Sequence, residues 1–188
     1  MSGIMARLLP ISITPAKVID LEAFYRYAQQ QFDTNGVGNT PLFMPDAPGT
    51  SVWGESLRQS YRQGLKASQN QPTWRRLWLA RNVQGEIVGD VSLRRDEFDD
   101  DNDRVWLGIG VSLGYRGHGL GEQLLSMVLH IAKQNQRINW IDLKVLDTNL
   151  PAIHLYRKLG FVEVSYIPER YQVDNELVGE FMMSYQVA

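Results

Sequence analysis

Apolar and polar residues alternate along the chain in two ways, one typical of strands and the other typical of helices. Residues 8–13 alternate strongly enough to favour a strand. Thr14 and Pro15 follow and predict a helix start, because threonine is a common N-cap and proline fits the first helical position. The apolar stripe of this helix is formed by Val18, Leu21, Phe24, Tyr25 and Ala28.

The rest of the chain continues as strands mixed with helices. Residues 33–49 are rich in glycine and proline and predict a long loop before a polar helix over residues 51–69. The other predicted strands cover residues 75–82, 86–95, 105–113, 141–146, 161–173 and 176–187, and the other predicted helices cover residues 120–132 and 149–159. This mixture predicts an α+β fold.

The composition is that of an ordinary globular protein and excludes several classes of function. The 188 residues suit a single domain over 1–188, and a formal net charge of −2 gives no reason to expect nucleic acid or a membrane as a partner. Residues 1–7 do not resemble a secretory signal, and we expect a cytoplasmic protein. The absence of cysteine excludes thiolate chemistry, and three scattered histidines predict no metal site.

A glycine-rich segment, residues 116–121, lies between the predicted strand 105–113 and the predicted helix 120–132. Glycines let the backbone approach a ligand closely, and the first amides of a helix have no intrahelical partner. The helix dipole favours negative charge at the same place. The segment therefore predicts a site for a phosphorylated cofactor, although an ordinary strand-to-helix connection has a similar composition.

The spacing of the glycines narrows the kind of cofactor. A dinucleotide-binding turn needs a third glycine where Glu122 stands, and a P-loop needs Lys and Ser or Thr after its last glycine. The segment instead resembles the Arg/Gln-x-x-Gly-x-Gly/Ala motif of the GNAT superfamily of N-acetyltransferases, read as Arg116, Gly119 and Gly121. In that superfamily the turn binds the pyrophosphate of acetyl-coenzyme A (acetyl-CoA).

A second segment, residues 145–161, resembles the other GNAT signature. That signature has an asparagine, an alanine three residues later, then Leu-Tyr and a closing Gly-Phe, here Asn149, Ala152, Leu155, Tyr156, Gly160 and Phe161. Taken alone, Asn149 is a helix cap, and Tyr156 is a tyrosine at the edge of the core. The two signatures, in the expected order, identify the chain as a member of the superfamily.

The resemblance implies the GNAT fold, with a mixed, mostly antiparallel sheet of about seven strands flanked by about four helices. It also implies acetyl-CoA as the co-substrate, without a metal, in a cleft between two splayed strands. Tyr156 would be the general acid that protonates the departing thiolate, and would also contact the cofactor. The remaining cofactor contacts would be the backbones of Val111 and Leu113, the amides of Arg116, Gly117, His118, Gly119, Leu120, Gly121 and Glu122, and the amide of Asn149.

The general base is not found where the family pattern leads us to expect it. Many members carry a carboxylate on the strand before the phosphate turn, but residues 105–111 contain none. We take Glu97, in the acidic run of residues 96–103, as the candidate base, with Glu180 on the last strand as another candidate. The acidic run is also explained as a solvated hairpin loop, or as a negative rim that attracts a cationic amine.

The implied activity is direct transfer of an acetyl group, in a ternary complex, to a primary amine of a small molecule or peptide. The acceptor side would be built from residues 32–60 and the final hairpin, and the protein would be a monomer or a homodimer. A non-catalytic acyl-CoA-binding or sensing module with the same fold is the alternative.

Overall fold

The computed structural model describes residues 10–95 and 103–187, and it confirms the predicted α+β class. In these ranges the chain forms one seven-stranded sheet and four α-helices. The strands are β1 (Ser12–Pro15), β2 (Arg75–Arg81), β3 (Ile87–Arg94), β4 (Arg104–Val111), β5 (Trp140–Leu146), β6 (Val162–Val173) and β7 (Glu176–Gln186). The helices are α1 (Leu21–Phe32), α2 (Glu55–Lys66), α3 (Leu120–Lys133) and α4 (Leu150–Lys158).

The strands lie in the order β1-β2-β3-β4-β5-β7-β6. Each neighbouring pair is antiparallel except β4 and β5, which are parallel. Parallel neighbours need a crossover connection, and α3 provides it between β4 and β5. The sheet is therefore mixed and mostly antiparallel, as the family resemblance implied.

Different helices cover the two faces of the sheet. Residues of α3 and α4, such as Leu124 and Ile153, share the larger core with odd-numbered residues of β4 and β5, such as Val105. Residues of α1 and α2, such as Phe24 and Tyr61, pack on β2 in a separate core. Side chains alternate between the faces along each strand, so these cores lie on opposite sides of the sheet. We call them the α3/α4 face and the α1/α2 face.

A cleft opens between β4 and β5 because these strands pair only at their amino-terminal ends, residues 104–106 with residues 140–142. There Arg104 donates from Nε and Nη2 to the two carboxylate oxygens of Asp142, each at 2.8 Å. Further along the central strand β4, Gly108 is exposed, whereas six of the eight residues of neighbouring β3 are buried. A central strand becomes accessible where its neighbour departs, so the second half of β4 lines the cleft.

The predicted helix start at Thr14 and Pro15 is wrong. Both residues belong to β1, where Pro15 lies opposite Trp78 of β2. Because β1 is an edge strand, a proline at its end costs no sheet hydrogen bond that an inner strand would need. A short 3-10 helix, Val18–Asp20, then leads into α1 at Leu21.

Candidate active site

The glycine-rich turn between β4 and α3 depends on two left-handed residues. Gly117 has a φ of 73° and Gly119, the N-cap of α3, has a φ of 85°. Side chains rarely tolerate this conformation, and a Cβ at either position would meet no atom within 4 Å. Glycine is therefore required here by backbone conformation, and the space in front of both residues is open.

The first turn of α3 presents backbone amides toward this open space. The N–H groups of Leu120, Gly121 and Glu122 precede the first intrahelical bond, which Gln123 N makes to Gly119 O at 3.0 Å. Unpaired amides of this kind at a helix start favour an anion, and their role in cofactor binding stays a prediction.

Gly121 brings three parts of the site together. A Cβ on Gly121 would stand 3.2 Å from Leu155 Cδ2 of α4 and 3.8 Å from Val111 Cγ2 at the end of β4. The absence of a side chain lets the start of α3 pack closely on both neighbours. The glycine-rich turn, the end of β4 and the helix that carries Tyr156 therefore adjoin one another.

The side chain of Arg116 folds back onto the protein, while the neighbouring His118 is exposed. Arg116 Nε donates to the carbonyl oxygen of Val111 at 2.8 Å, and Nη2 lies 3.5 Å from Gln31 Oε1 of α1. Burial lowers the pKa of the Arg116 guanidinium from its usual value. Arg116 therefore anchors the turn through its side chain, and its backbone N–H is also used, because it donates to the Leu113 carbonyl at 3.3 Å. The predicted contact of the Arg116 amide with the cofactor would require this bond to open.

The backbone of β4 alternates between facing β3 and facing the cleft, as antiparallel pairing requires. Ser112 N donates to Val88 O at 2.9 Å, so even-numbered residues of β4 face β3. The N–H and C=O groups of Leu107, Ile109 and Val111 therefore face the cleft, although Arg116 occupies the Val111 carbonyl.

Leu113 lies beyond the end of β4, whereas the sequence predicted a strand up to this residue. It begins a 3-10 helix, Leu113–Tyr115, and its carbonyl accepts from Arg116 N at 3.3 Å. The backbone N–H of Val111 is therefore better oriented than Leu113 to extend the strand pairing to a ligand in the cleft.

Asn149 begins α4 at the carboxyl end of β5. Its Oδ1 accepts from Ala152 N at 3.4 Å, which is the predicted N-cap contact. Since the cap uses only the oxygen, the Nδ2 group of Asn149 retains its capacity to donate. Asn149 and the turn before α3 thus lie at the same end of the parallel pair, on either side of the cleft.

Tyr156 is buried on the α3/α4 face, with its ring centroid 5.8 Å from that of Phe161. Burial raises the pKa of the Tyr156 hydroxyl to about 12. The hydroxyl therefore stays protonated across the physiological range and can donate a proton or a hydrogen bond.

Two ion pairs connect the last turn of α4 to α3 and to β6. Lys158 Nζ lies 2.7 Å from Glu122 Oε2 of α3, and Arg157 pairs with Glu163 of β6. Without Lys158, Glu122 would place an uncompensated negative charge beside the glycine-rich turn. Lys158 therefore neutralises Glu122 without pointing at the turn itself.

The α1/α2 face contains a buried carboxylate that was not predicted from the sequence. Asp90 of β3 is 9% exposed and lies directly opposite Gly110 of β4. Its Oδ1 lies 2.5 Å from where a Cβ on Gly110 would stand, and Tyr27 Oη of α1 lies 3.2 Å from the same point. The sequence contained one signal for this carboxylate, which was a lone acidic residue within an apolar strand opposite a strand with alternating glycines.

Burial raises the pKa of Asp90 to about 7, against smaller lowering effects of the Tyr27 hydroxyl and of Arg75. Tyr27 Oη is itself buried, and in the described part of the chain it has no partner in hydrogen-bonding geometry. The Asp90 carboxylate and the Tyr27 hydroxyl are therefore two buried polar groups that lie together over Gly110 of β4.

The two carboxylates predicted as bases have different outcomes. Glu97 lies outside the described residues, and its role stays a prediction. Glu180 of β7 is buried, accepts from Tyr171 Oη at 3.0 Å, and lies 3.2 Å from Arg170 Nε. Glu180 is therefore held in place by two residues of β6.

Neither a metal cluster nor a membrane span is found in the described ranges. Among residues 10–95 and 103–187, no three His, Asp or Glu side chains are grouped as metal ligands would be. None of the helices in the same ranges has the length and apolar character needed to cross a bilayer.

Comparison with known proteins identifies the family. Residues 42–161, more than half of the chain, match the family model described as acetyltransferase (GNAT) family. The chain therefore belongs to the GNAT family and is an acyltransferase, which confirms the resemblance read from the two motifs.

Individual relatives share parts of this chain. It is 25% identical to L-amino acid N-acetyltransferase AaaT of Escherichia coli (strain K12), over 75% of this chain and 76% of that protein. It is 30% identical to N-acetyltransferase 9-like protein of Caenorhabditis briggsae over 53% of this chain and 52% of that protein, so it spans about half of that relative's length.

Solved structures show the same fold. The structure of yncA from Salmonella typhimurium, determined with its cofactor acetyl-CoA, superposes with a TM-score of 0.72 at 17% identity and covers 95% of each chain. A neighbour of the same fold thus binds the cofactor that the cleft was predicted to hold.

Proposed function

We propose that this protein transfers the acetyl group of acetyl-CoA directly to a primary amine of a small molecule or peptide. The observation that carries the proposal is the cleft between β4 and β5, where the end of β4, the start of α3 and the helix that carries the buried Tyr156 adjoin one another. The same three parts carry the two family signatures.

The α3/α4 face fits the cofactor. The open turn at Gly117 and Gly119 and the free amides of Leu120 and Gly121 would hold a pyrophosphate. The N–H of Val111 and the Nδ2 group of Asn149 would hold the pantetheine arm, as a strand partner and a side-chain donor respectively. These contacts orient the arm along β4.

Acetyl-CoA supplies an activated thioester. The chain must then provide a proton for the departing sulfur and a path for the amine. Tyr156 is suited to the first task because burial keeps the pKa of its hydroxyl at about 12 and its proton in place. Its neighbour Leu155 contacts the start of α3, which supports a position beside the bound arm.

The acceptor approaches from the α1/α2 face, because α3 and α4 occupy the other side. Gly108 carries no side chain and is exposed on this face, which leaves room over β4 for an incoming amine. The space over the next glycine, Gly110, is occupied by Asp90 and Tyr27. One relative is named as an L-amino acid N-acetyltransferase, and an amino acid is a compound that carries an amine. A primary amine is therefore the acceptor class that we propose.

The proposal is tested by thermal melting with and without acetyl-CoA, followed by thiol release with amino acids, polyamines and peptides. We expect acetyl-CoA to raise the melting temperature, and at least one amine class to release coenzyme A with the acetylated amine seen by mass spectrometry. Stabilisation without acetylation of any amine would favour a sensing module. No stabilisation at saturating acetyl-CoA would overturn the site.

A further inference from the structure

The geometry points to Asp90 as the general base of the transfer, the group that takes a proton from the acceptor ammonium on the α1/α2 face. This inference rests on the proposed function. It places the base on β3, because β4 contains no carboxylate in this chain.

The pairing of β3 with β4 positions the Asp90 carboxylate. Asp90 and Gly110 are direct neighbours in the antiparallel register, so their side-chain positions share one face of the sheet. Any Cβ on Gly110 would stand 2.5 Å from Asp90 Oδ1, which is closer than two such atoms approach. Glycine at this position therefore makes room for the carboxylate to lie over β4 beside the cleft.

Asp90 and Tyr156 approach the cleft from opposite faces. Tyr156 belongs to the core under α3 and α4, whereas the Asp90 carboxylate lies over Gly110 together with the hydroxyl of Tyr27 from α1. A thioester held between β4 and β5 is open to both faces at once. A base on the amine side and an acid on the sulfur side is the arrangement that direct transfer requires.

The groups that face Asp90 leave its proton affinity high. They are Tyr27 of α1, Tyr61 of α2 and Arg75 of β2, with Arg94 further along β3 and Arg116 beyond Tyr27. The Arg75 guanidinium stacks on Tyr61 with its centre 3.8 Å from the ring centroid. Burial outweighs these influences and raises the pKa of Asp90 to about 7, which suits a base that must accept and release protons near neutrality.

The proton balance is complete with these groups. One ammonium proton passes to the Asp90 carboxylate, and the neutral nitrogen forms the C–N bond as the C–S bond breaks. The Tyr156 proton goes to the sulfur, and the second nitrogen proton restores the Tyr156 hydroxyl through solvent. Asp90 then releases its proton to water, so the net reaction yields the amide, free thiol and one proton.

The test compares Asp90→Asn with Glu180→Gln, which removes the buried carboxylate of β7 that the sequence offers as the rival candidate for the base. For the wild type we expect kcat to fall on the acid side with an apparent pKa of about 7. Asp90→Asn should lower kcat by about 100-fold and abolish this acid limb, whereas Glu180→Gln should retain the limb. Acetyl-CoA should stabilise both variants as it does the wild type, which shows that the fold and the cofactor site are intact.

A measurement without substrates accompanies the kinetics. Carboxyl ¹³C resonances of the ligand-free protein should show one group titrating near pH 7, and that resonance should be missing from Asp90→Asn. If Asp90→Asn keeps its kcat within about threefold of the wild type, Asp90 is not the base. If no carboxyl titrates above pH 6, the inference also fails. A wild type that acetylates no amine would instead refute the proposed function.

Discussion

The two faces of the cleft hold their functional groups in different ways. On the α3/α4 face, the groups belong to short continuous segments, the turn before α3 and the helix α4, and many of them are backbone amides. On the α1/α2 face, the groups are side chains from separate elements, with Asp90 from β3, Tyr27 from α1 and Arg75 from β2. Local geometry therefore builds the side that we propose for the cofactor, and tertiary packing builds the side that we propose for the acceptor.

The largest expected effect comes from Tyr156→Phe. Removing the hydroxyl takes away the proton donor for the departing sulfur, so kcat should fall by about 100-fold or more. The melting-temperature rise with acetyl-CoA should stay the same, because the ring still packs on Phe161. Tyr185→Phe is the matched control, since its ring also packs on Phe161, 5.4 Å between centroids, and it should keep kcat. Unchanged turnover in Tyr156→Phe would remove Tyr156 from the acid role.

The next effect is a change in the pH dependence of stability in Asp90→Asn. The pKa of Asp90 rises from 3.8 to about 7 on folding, so between these values the folded state binds more protons than the unfolded state. The free energy of unfolding should therefore decrease as pH rises through this window.

The size of that change follows from the shift in pKa. From pH 5 to pH 8, Asp90 should cost the wild type about 2–3 kcal/mol relative to Asp90→Asn. Urea denaturation of both proteins at several pH values measures it. Parallel stability curves would mean that Asp90 titrates normally in the folded protein.

A smaller effect is expected when Gly119 is replaced, and a second glycine with the same backbone conformation serves as the control. Gly85, in the turn between β2 and β3, has a φ of 81° and open space around it, much like Gly119 with its φ of 85°. Valine at either position should cost similar stability, about 1–2 kcal/mol. Only Gly119→Val should weaken acetyl-CoA binding, by about tenfold or more, as measured by calorimetry. Equal affinities in the two variants would argue against the phosphate turn.

The smallest effect concerns the surface charges of α4. Lys158→Gln leaves Glu122 uncompensated beside the turn, and we expect the KM for acetyl-CoA to rise by about twofold to fivefold at low salt. The increase should shrink as salt is added, because the charges are exposed. Arg157→Gln removes a neighbouring cation that pairs with Glu163 instead, and it should leave this KM unchanged. An equal KM for acetyl-CoA in both variants would mean that Lys158 does not influence the cofactor site.

The difference between the two faces explains what the sequence could predict. Gly119, Gly121, Asn149 and Tyr156 lie in two motifs whose spacing is set by one turn and one helix, so local patterns suffice. The α+β class could be predicted for the same reason, because the apolar periodicity of each strand and helix is a local pattern.

The residues of the proposed acceptor side could not be predicted from local patterns in the same way. Asp90 gains its significance from Gly110 and Tyr27, which only the strand register and the packing of α1 bring beside it. Pro15 failed as a helix signal for a similar reason, since its place at the end of an edge strand depends on pairing with β2. Contacts distant in sequence leave no local pattern.

A crystal structure of the complex with acetyl-CoA would test most directly whether acid and base act from opposite faces. The account predicts that the arm lies between β4 and β5, paired with the N–H of Val111. It places the sulfur within hydrogen-bonding distance of Tyr156 Oη, about 3–3.5 Å, and opens the thioester carbon toward Asp90 across Gly110. A thioester bound outside this cleft, or one with Tyr156 and Asp90 on the same side, would contradict it.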